Sequence, residues 1–409
     1  MRTIQTHCCI VGGGPAGMML GYLLSRAGIE TVVLEKHADF FRDFRGDTVH
    51  PSTLQVMDEL GLIDGFLKVP HQQLQKMDGQ FGDDSIRIAD LSRLDVKYPF
   101  IAMMPQWDFL NFLRESGKRF ACLNVMMNAS ATDLIRSGDT VVGVTADTPD
   151  GPVEIRAGLT IGCDGRHSMV RERAGLEIEE IGAPMDVLWF RAGRRANETE
   201  NLFARVQTGK MLVTFDRGDY WQCAYVIAKD QFDAVKARGL DVFRNDVIGM
   251  APILSAGMAD VSWDDVKLLT VAINRLKRWT LPGLLCIGDA AHAMSPVGGV
   301  GVNLAIQDAV ATANLLAAKL AAVKDSRGCP SEDELDAVRR RRTFPVRMTQ
   351  TMQVVVQNNI ISVALKPGNQ PLRAPLFARL VNAIPWLQGI TARFVAIGVR
   401  PEHVHSPAQ

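Results

Sequence analysis

The 409-residue sequence predicts an α/β fold in which a parallel-sheet domain is interrupted by a mostly antiparallel sheet and followed by a helical region. An apolar run, a glycine turn, a helix and a second apolar run follow one another at residues 8–34, as in a βαβ unit. Short alternating stretches such as SIRIADL at residues 75–104 are typical of antiparallel strands. After residue 300 the apolar residues recur at helical spacing.

These changes of pattern set the domain boundaries that we expect. A second β-rich stretch at residues 186–273 contains MLVTF and YWQCAYVIA, and we assign it to the same antiparallel sheet. A further strand and a long helix after residue 284 return to the first domain. The predicted domains are 1–74, 105–180 and 275–330 for the discontinuous first domain, 75–104 and 181–274 for the inserted sheet domain, and 331–409 for the C-terminal helical region.

Charge and composition exclude several classes of protein. The chain has 45 Lys plus Arg and 45 Asp plus Glu, so no long-range field attracts nucleic acid or an anionic membrane. Its seven cysteines include no C-x-x-C pair, and no metal site is expected. Polar residues interrupt the apolar segment Asn303–Val323, which argues against a transmembrane helix. Because the first strand leaves no room for a signal peptide, we expect a cytoplasmic protein with a small-molecule partner and no membrane contact.

A glycine fingerprint follows the first strand. Gly12, Gly14 and Gly17 form G-x-G-x-x-G where the strand meets the helix, with Pro15 and Ala16 inside the motif. Backbone N–H groups and a helix N-terminus at this position suit a pyrophosphate, as in Rossmann-like nucleotide-binding domains. The same glycines would suit a tight turn with positive φ, but the order strand, turn, helix, strand and acid favours the nucleotide site.

Glu35 is the acid that ends the second strand. It lies about 20 residues after the first glycine, the separation expected for a carboxylate that hydrogen-bonds an adenosine ribose. A carboxylate would repel a ribose phosphate, so FAD or NAD fits better than NADP, with Lys36 as a neighbouring contact. The fingerprint alone does not separate FAD from NAD.

The segment LLCIGDAAHAMSPVGGVGVNLAIQDA favours FAD. Asp289 ends an apolar strand, where it could accept hydrogen bonds from ribityl hydroxyls. A loop with Gly298, Gly299 and Gly301 then opens a helix, whose N-terminus would stabilise the negative charge of a reduced flavin. NAD would gain nothing from this arrangement, so FAD is the expected cofactor.

With these motifs the chain resembles the class A flavoprotein monooxygenases, the para-hydroxybenzoate hydroxylase-like family of FAD-dependent aromatic hydroxylases. Three family signatures occur in order over residues 8 to about 318. They are the fingerprint with Glu35, the DG segment IGCDGRHSMVRERAG with Asp164 and Gly165, and the GD segment from Gly288 to Pro296. The resemblance implies that the DG segment contributes to FAD and nicotinamide binding.

The resemblance implies further cofactor contacts. Arg45, in DFRGDTVHP, would approach the flavin and its phosphates, and Gln106 would contact the cofactor from a helix start. One departure is that Val300 occupies the glutamine position of the family's G-Q-G-x-N loop. The expected FAD-binding residues are Gly12, Gly14, Pro15, Ala16, Gly17, Glu35, Lys36, Arg45, Gln106, Asp164, Gly165, Asp289, Pro296, Gly299, Gly301, Val302 and Asn303.

The implied activity is hydroxylation of a small aromatic or apolar substrate by an FAD-dependent monooxygenase that uses NADH or NADPH and O2, through a flavin hydroperoxide. Because the cofactor carries the chemistry, no catalytic residue is assigned. Tyr220, Tyr225, His50 and His71 could hydrogen-bond a phenol. A reductase or halogenase-like flavoprotein of the same fold, a non-catalytic flavin-binding protein and a flavin-free NAD dehydrogenase stay open as alternatives.

Three expectations concern residues outside these motifs. His292 is expected to position the GD loop rather than to transfer protons, and the run Arg339–Arg342 is expected to form a solvated helix face. Apolar sheet residues such as Met211 and Phe215 fit an aromatic substrate, although such positions are more often core. The apolar tail at 371–404 is expected to cover the first domain, with a dimer contact or a membrane contact as alternatives, and the protein is expected to be a monomer or homodimer.

Overall fold

The computed structural model describes residues 1–41, 48–195, 202–322, 328–365 and 373–408. Its strands are β1 (Arg2–Val11), β2 (Thr31–Leu34), β3 (Thr48–Val49), β4 (Gln72–Leu74), β5 (Lys76–Phe81), β6 (Asp84–Asp90), β7 (Ile101–Met103), β8 (Leu123–Met126), β9 (Ser130–Ser137), β10 (Thr140–Thr148), β11 (Gly151–Gly162), β12 (Ile178–Glu180), β13 (Met185–Gly193), β14 (Leu202–Gln207), β15 (Lys210–Asp216), β16 (Tyr220–Ala228), β17 (Lys267–Leu269), β18 (Asn274–Leu276), β19 (Thr280–Leu281) and β20 (Leu284–Cys286).

The α-helices of the described residues lie between these strands and after them. They are α1 (Pro15–Arg26), α2 (Pro51–Glu59), α3 (Ile63–Phe66), α4 (Gln106–Gly117), α5 (Met169–Arg173), α6 (Phe232–Ala237), α7 (Leu240–Met250), α8 (Ser255–Met258), α9 (Gly301–Ala322), α10 (Glu332–Val356), α11 (Ser362–Ala364), α12 (Leu376–Ala383) and α13 (Pro385–Ala396). The π-helical turn Gln357–Ile361 joins α10 to α11.

The first sheet has the order β19-β20-β11-β1-β2-β8, with β10 also paired to β11 and β9 paired to β10. The pairs β20–β11, β11–β1, β1–β2 and β2–β8 are parallel. Cys8, Cys9, Ile10 and Val11 of β1 are buried because helices and neighbouring strands surround them. Helix α9 packs on α1 above this sheet.

The second sheet has the order β17-β13-β16-β15-β14-β5-β6 and is antiparallel apart from the β14–β5 pair. Helices α6, α7 and α8 cover its outer face, where Phe190 and Tyr225 each contact Phe243 edge-on at 5.5 Å. The α/β fold with a Rossmann-like domain, an inserted mostly antiparallel sheet and C-terminal helices is thereby confirmed.

The C-terminal helices correct one expectation. Helices α12 and α13 cover β6, the edge strand of the second sheet, rather than only the first domain. Asn382 accepts a hydrogen bond from the Arg87 N–H at 2.9 Å, and the Thr391 hydroxyl donates to the Ile88 carbonyl at 2.9 Å. The unpaired backbone groups of an edge strand explain this docking. The end of α13 and the last segment also reach the first domain, where His50 Nδ1 donates to the Val395 carbonyl and the Arg26 guanidinium donates to the Ser406 carbonyl.

One described helical stretch, Val297–Ala322, is long and apolar enough to span a membrane, and 78% of its apolar window is buried inside the molecule. It includes α9, so its apolar character serves the core. Among the described residues, no group of three or more His, Cys, Asp or Glu is arranged to hold a metal.

Candidate cofactor and substrate site

The glycines of the turn after β1 have two different roles: some permit close backbone packing, and one leaves open space for a ligand. Gly12 has φ of 107°, and a Cβ atom there would lie 2.4 Å from the Cys163 carbonyl oxygen. A Cβ on Gly17 would lie 1.9 Å from the Gly12 carbonyl oxygen, so both glycines permit close backbone packing. Gly14, the N-cap of α1, has no heavy atom within 4 Å of its Cβ position. This open space before a helix N-terminus fits a pyrophosphate.

Glu35 reaches the glycine turn from the end of β2. It is buried, and its Oε2 accepts from the Gly13 N–H at 3.1 Å while Oε1 accepts from the His37 N–H at 3.0 Å. A carboxylate at the end of the second strand of a βαβ unit is the group expected to accept from ribose hydroxyls. Lys36, the next residue, is exposed. The predicted acid and the predicted glycines therefore lie together.

The DG segment follows β11 and carries its own internal hydrogen bonds. The Asp164 carboxylate accepts from the Ser168 hydroxyl at 2.5 Å and from the Val170 N–H at 3.0 Å. Burial raises the pKa of Asp164, and these hydrogen bonds oppose the rise. Gly165, with φ of 83°, provides the turn. Asp164 therefore holds the loop and the start of α5 in place.

The DG and GD segments meet because β11 and β20 are parallel neighbours. Asp289 follows β20, is one-third exposed, and lies 3.9 Å from the Arg166 guanidinium of the DG segment. Arg171 donates to the Ala290 carbonyl at 3.2 Å. The carboxyl ends of parallel strands are where ligands bind in open α/β sheets. The partly exposed Asp289 is suited to accept hydrogen bonds from hydroxyl groups there.

The loop before α9 is held to the β3–α2 connection. Gly298 and Gly299 have φ of 79° and 64°. Asn303 accepts from the His50 N–H at 3.0 Å and from the Thr53 hydroxyl at 2.7 Å. Thr48 donates to the Gly299 carbonyl at 2.9 Å. The side chain of Asn303 thus binds protein groups that orient the loop.

The other predicted cofactor residues surround the same region. Pro296, Gly301 and Val302 lie in or beside the loop and are half-buried, and Gln106 begins α4 directly after β7. Pro15 is the first residue of α1, and Ala16 is buried under it. Arg45 lies outside the described residues.

A buried charge network behind the GD segment was not predicted. The Asp308 carboxylate, fully buried on α9, accepts from the Gly288 N–H at 3.0 Å, from His292 Nε2 at 2.6 Å and from Arg342 Nε at 2.8 Å. Arg342 also faces Glu402 at 3.4 Å. Burial alone would raise the pKa of Asp308, but the charges of His292 and Arg342 outweigh it, and the pKa is lowered.

This network corrects the interpretation of the arginine run. Arg342 is 1% exposed, so it is not part of a solvated face, whereas Arg340 of the same run is half exposed. The helical spacing contained the signal, because residue 342 falls on the same face of α10 as the buried Leu335, Val338 and Val346. His292 is buried within the network, as a positioning role requires.

The four side chains considered for a phenol have different surroundings. Tyr225 lies on the outer face of the second sheet, where burial raises its pKa to about 12. His50 is fully buried, with Nδ1 bonded to the Val395 carbonyl, and His71 Nδ1 is bonded to the Val69 carbonyl. Tyr220 is the one of the four that lies on the inner face of that sheet, opposite Gly193 of β13.

The comparisons with known proteins agree with this arrangement. Residues 5–351 match the family model described as FAD binding domain. The chain is 30% identical over 398 residues to 6-methylpretetramide 4-monooxygenase of Streptomyces rimosus, covering 93% of this chain and 92% of that protein. It is 28% identical to rifampicin monooxygenase of Streptomyces venezuelae, covering 96% of this chain and 78% of that protein.

Among solved structures, the anhydrotetracycline hydroxylase of Streptomyces rimosus superposes with a TM-score of 0.74 at 25% identity, over 98% of this chain and 77% of that one. The p-nitrophenol 4-monooxygenase of Pseudomonas putida has a TM-score of 0.72 at 20% identity, over 96% of this chain and 94% of that one, which shows a shared fold.

Proposed function

The chain belongs to the FAD binding domain family and is an FAD-dependent monooxygenase, and on that basis we propose that it hydroxylates a small aromatic substrate of the fused-ring polyketide type, with NADH or NADPH and O2. The substrate class follows the printed activities of its relatives, which include a 6-methylpretetramide 4-monooxygenase and an anhydrotetracycline monooxygenase. These relatives favour the monooxygenase over a reductase, a halogenase-like enzyme or a non-catalytic flavin-binding protein.

The observation that carries the proposal is the convergence of three segments at the carboxyl ends of β1, β11 and β20. Gly14 and the start of α1 would bind the pyrophosphate of FAD, and Glu35 its ribose. Asp289 would bind the ribityl chain. The open space at Gly14 and the position of the Glu35 carboxylate beside the glycine turn fit the cofactor.

FAD, when bound, supplies the electron transfer from NAD(P)H to O2 and the oxygen transfer to the substrate. The residues of this chain bind and orient the cofactor and the substrate, and they exclude water from the site. The glycine loop opens the N-terminus of α9, where backbone N–H groups stabilise negative charge. The antiparallel sheet lies across from this loop, because Val297 packs with Val187 and Val226. No protein nucleophile is needed, and we assign no acid or base.

The finer organisation is part of the proposal. We assign 1–74, 105–180 and 275–330 to the FAD-binding domain, 75–104 and 181–274 to the substrate domain, and 331–409 to the C-terminal region. We also propose a cytoplasmic monomer or homodimer. The balance of 45 basic and 45 acidic residues supports the absence of long-range attraction to nucleic acid or anionic membranes.

The test combines cofactor content with substrate-stimulated turnover. Purified protein should carry FAD, and its NADH or NADPH oxidation under air should rise with a polycyclic phenol and yield a hydroxylated product. A yellow protein whose NAD(P)H oxidation responds to no polycyclic phenol would contradict the proposed substrate class. A colourless protein that takes up no added FAD would contradict the cofactor.

A further inference from the structure

The inner face of the second sheet turns toward the GD loop. Register places Arg191 of β13 opposite Gln222 of β16, and Phe215 of β15 on the other side of Gln222. Trp189 lies two residues before Arg191 and therefore shares this face. Trp189 packs in the same apolar cluster as Val297, which directly follows the GD segment. We call Trp189, Arg191, Phe215, Tyr220 and Gln222 the inner-face patch.

The aromatic rings of the inner-face patch form a platform. The rings of Trp189 and Phe215 lie nearly parallel, with centroids 6.1 Å apart and 15° between their planes. The Arg191 guanidinium lies over the Tyr220 ring, 4.8 Å from its centroid. Flat aromatic faces beside a cation are suited to stack against a planar ring system.

The polar groups of the patch are mainly donors. Trp189 Nε1 is buried and has no hydrogen-bond partner in the described part of the chain, and an indole nitrogen can only donate. The Gln222 carbonyl oxygen already accepts from Arg217 Nε at 3.0 Å, which leaves its NH2 group for another acceptor. On the inner face of β13, β15 and β16, no position holds Asp or Glu.

Resting on the proposed function, we propose that the inner-face patch binds the substrate and selects a planar fused-ring aromatic that carries an ionised hydroxyl group beside its carbonyl oxygens. Trp189 donates a hydrogen bond to one oxygen, and Arg191 neutralises an oxygen that has lost its proton to solvent. An ionised hydroxyl makes the attached ring more electron-rich, which favours attack on an electrophilic oxygen. The patch thereby links substrate recognition with reactivity.

The test uses a hydroxylated anthraquinone, 1,2-dihydroxyanthraquinone, and unsubstituted anthraquinone as probes of FAD-loaded protein. Binding is titrated by flavin absorbance and fluorescence without NAD(P)H, so no turnover is needed. We expect the dihydroxy probe to bind at least about tenfold more tightly than anthraquinone. Trp189→Phe, which keeps a ring and removes the N–H, should weaken binding of the dihydroxy probe about tenfold. Arg191→Met should weaken its binding more strongly. Arg191→Lys should recover part of the loss.

Arg194→Gln is the matched control. Arg194 pairs with Asp216 at 3.1 Å and lies over Trp221, which is buried on the outer face. Its removal should change probe affinity by less than about twofold. Equal affinity of the wild type for the two probes, no binding of either, or undiminished binding in both Trp189→Phe and Arg191→Met would overturn the inference. Turnover with other phenols in those cases would leave the monooxygenase function intact.

Discussion

The two segments that would hold FAD are built by different means. The turn between β1 and α1 depends on backbone geometry, since Gly12 and Gly17 pack where a Cβ atom would collide with carbonyl oxygens. The GD segment after β20 depends on side chains from distant parts of the chain. The Asp308 carboxylate accepts a hydrogen bond from the Gly288 N–H of this segment. Arg342, which lies 34 residues after Asp308, donates a hydrogen bond to the same carboxylate. The first segment is local in sequence, and the second is assembled by the tertiary fold.

The difference predicts different sensitivities. Substitutions in the glycine turn act through steric contact within a few residues. Substitutions in the charge network act at a distance, because removing one partner of a buried ion pair leaves an uncompensated charge. Glu402 of the C-terminal segment pairs with Arg342. The C-terminal segment is therefore coupled, through Arg342 and Asp308, to the GD segment that precedes α9.

The largest effect should come from the charge network. Arg342→Met removes the cation that faces both Asp308 and Glu402, so we expect the free energy of unfolding to fall by about 3–5 kcal/mol, with weaker FAD retention. Urea denaturation and bound-flavin absorbance measure the two effects. Arg340→Met, on the same helix but half exposed and paired with Asp333, should cost at most about 1 kcal/mol. Equal losses in the two variants would remove the distinction between the segments.

Substitutions at two glycines of the turn should affect different properties, one the stability of the fold and the other the affinity for FAD. Gly17→Ala places a Cβ atom against the Gly12 carbonyl and should destabilise the fold by about 1–3 kcal/mol. Gly14→Ala meets no protein atom, so the unliganded protein should melt as the wild type does while FAD affinity falls about tenfold or more. Thermal melts without FAD and flavin titrations separate the effects. A Gly14→Ala variant with normal FAD affinity would place the pyrophosphate elsewhere.

Glu35 should contribute mainly to cofactor affinity. Glu35→Gln removes the charged acceptor beside Gly13, and we expect FAD binding to weaken about tenfold, from the loss of roughly 1.5 kcal/mol in charged hydrogen bonds. Lys36→Gln is the comparison: Lys36 is also an expected FAD contact, but its side chain is exposed, so its loss should weaken FAD binding by less than about threefold. Fluorescence quenching of FAD measures both affinities. A larger effect of Lys36 than of Glu35 would reverse the assigned roles.

The smallest effect concerns pH. Burial lowers the pKa of His50 to about 4, and the hydrogen bond to the Val395 carbonyl only partly opposes this. The unfolded pKa is about 6.5, so the unfolded state binds the proton first, and stability falls as pH drops from about 6.5 toward 4. Between pH 7.5 and 5.5 the loss from His50 alone should be about 1.3 kcal/mol.

Urea midpoints at the two pH values test this. His50→Gln should remove the increment, and His405→Gln, at an exposed position, should retain it. A wild-type difference that persists in His50→Gln would assign the pH dependence to other groups.

Most of the predicted cofactor site could be recognised from patterns that are short in sequence. The order of strand, glycines, helix and Glu35 lies within about 30 residues, so the fingerprint could be recognised along the chain. The structure then joined Glu35 to the glycine turn as expected. The DG and GD segments were also recognised separately, and the parallel pairing of β11 with β20 brought them together.

Long-range pairing explains what was missed. Arg342 was interpreted as solvated because a run of like charges usually is, although its helical face is apolar. Trp189 and Arg191 gave no signal, since their importance depends on which face of β13 turns toward the GD loop. The docking of α12 and α13 on β6 depended on where the sheet edge lies, which the sequence does not show.

The central claim is that this chain places one atom of O2 on an aromatic substrate. The most direct measurement is the mass of the product formed by the FAD-loaded protein from NAD(P)H and a polycyclic phenol under oxygen-18 gas. The claim predicts a hydroxylated product that carries one atom of oxygen-18. Consumption of NAD(P)H across the phenol panel with only hydrogen peroxide formed, or a product whose new oxygen comes from water, would contradict it.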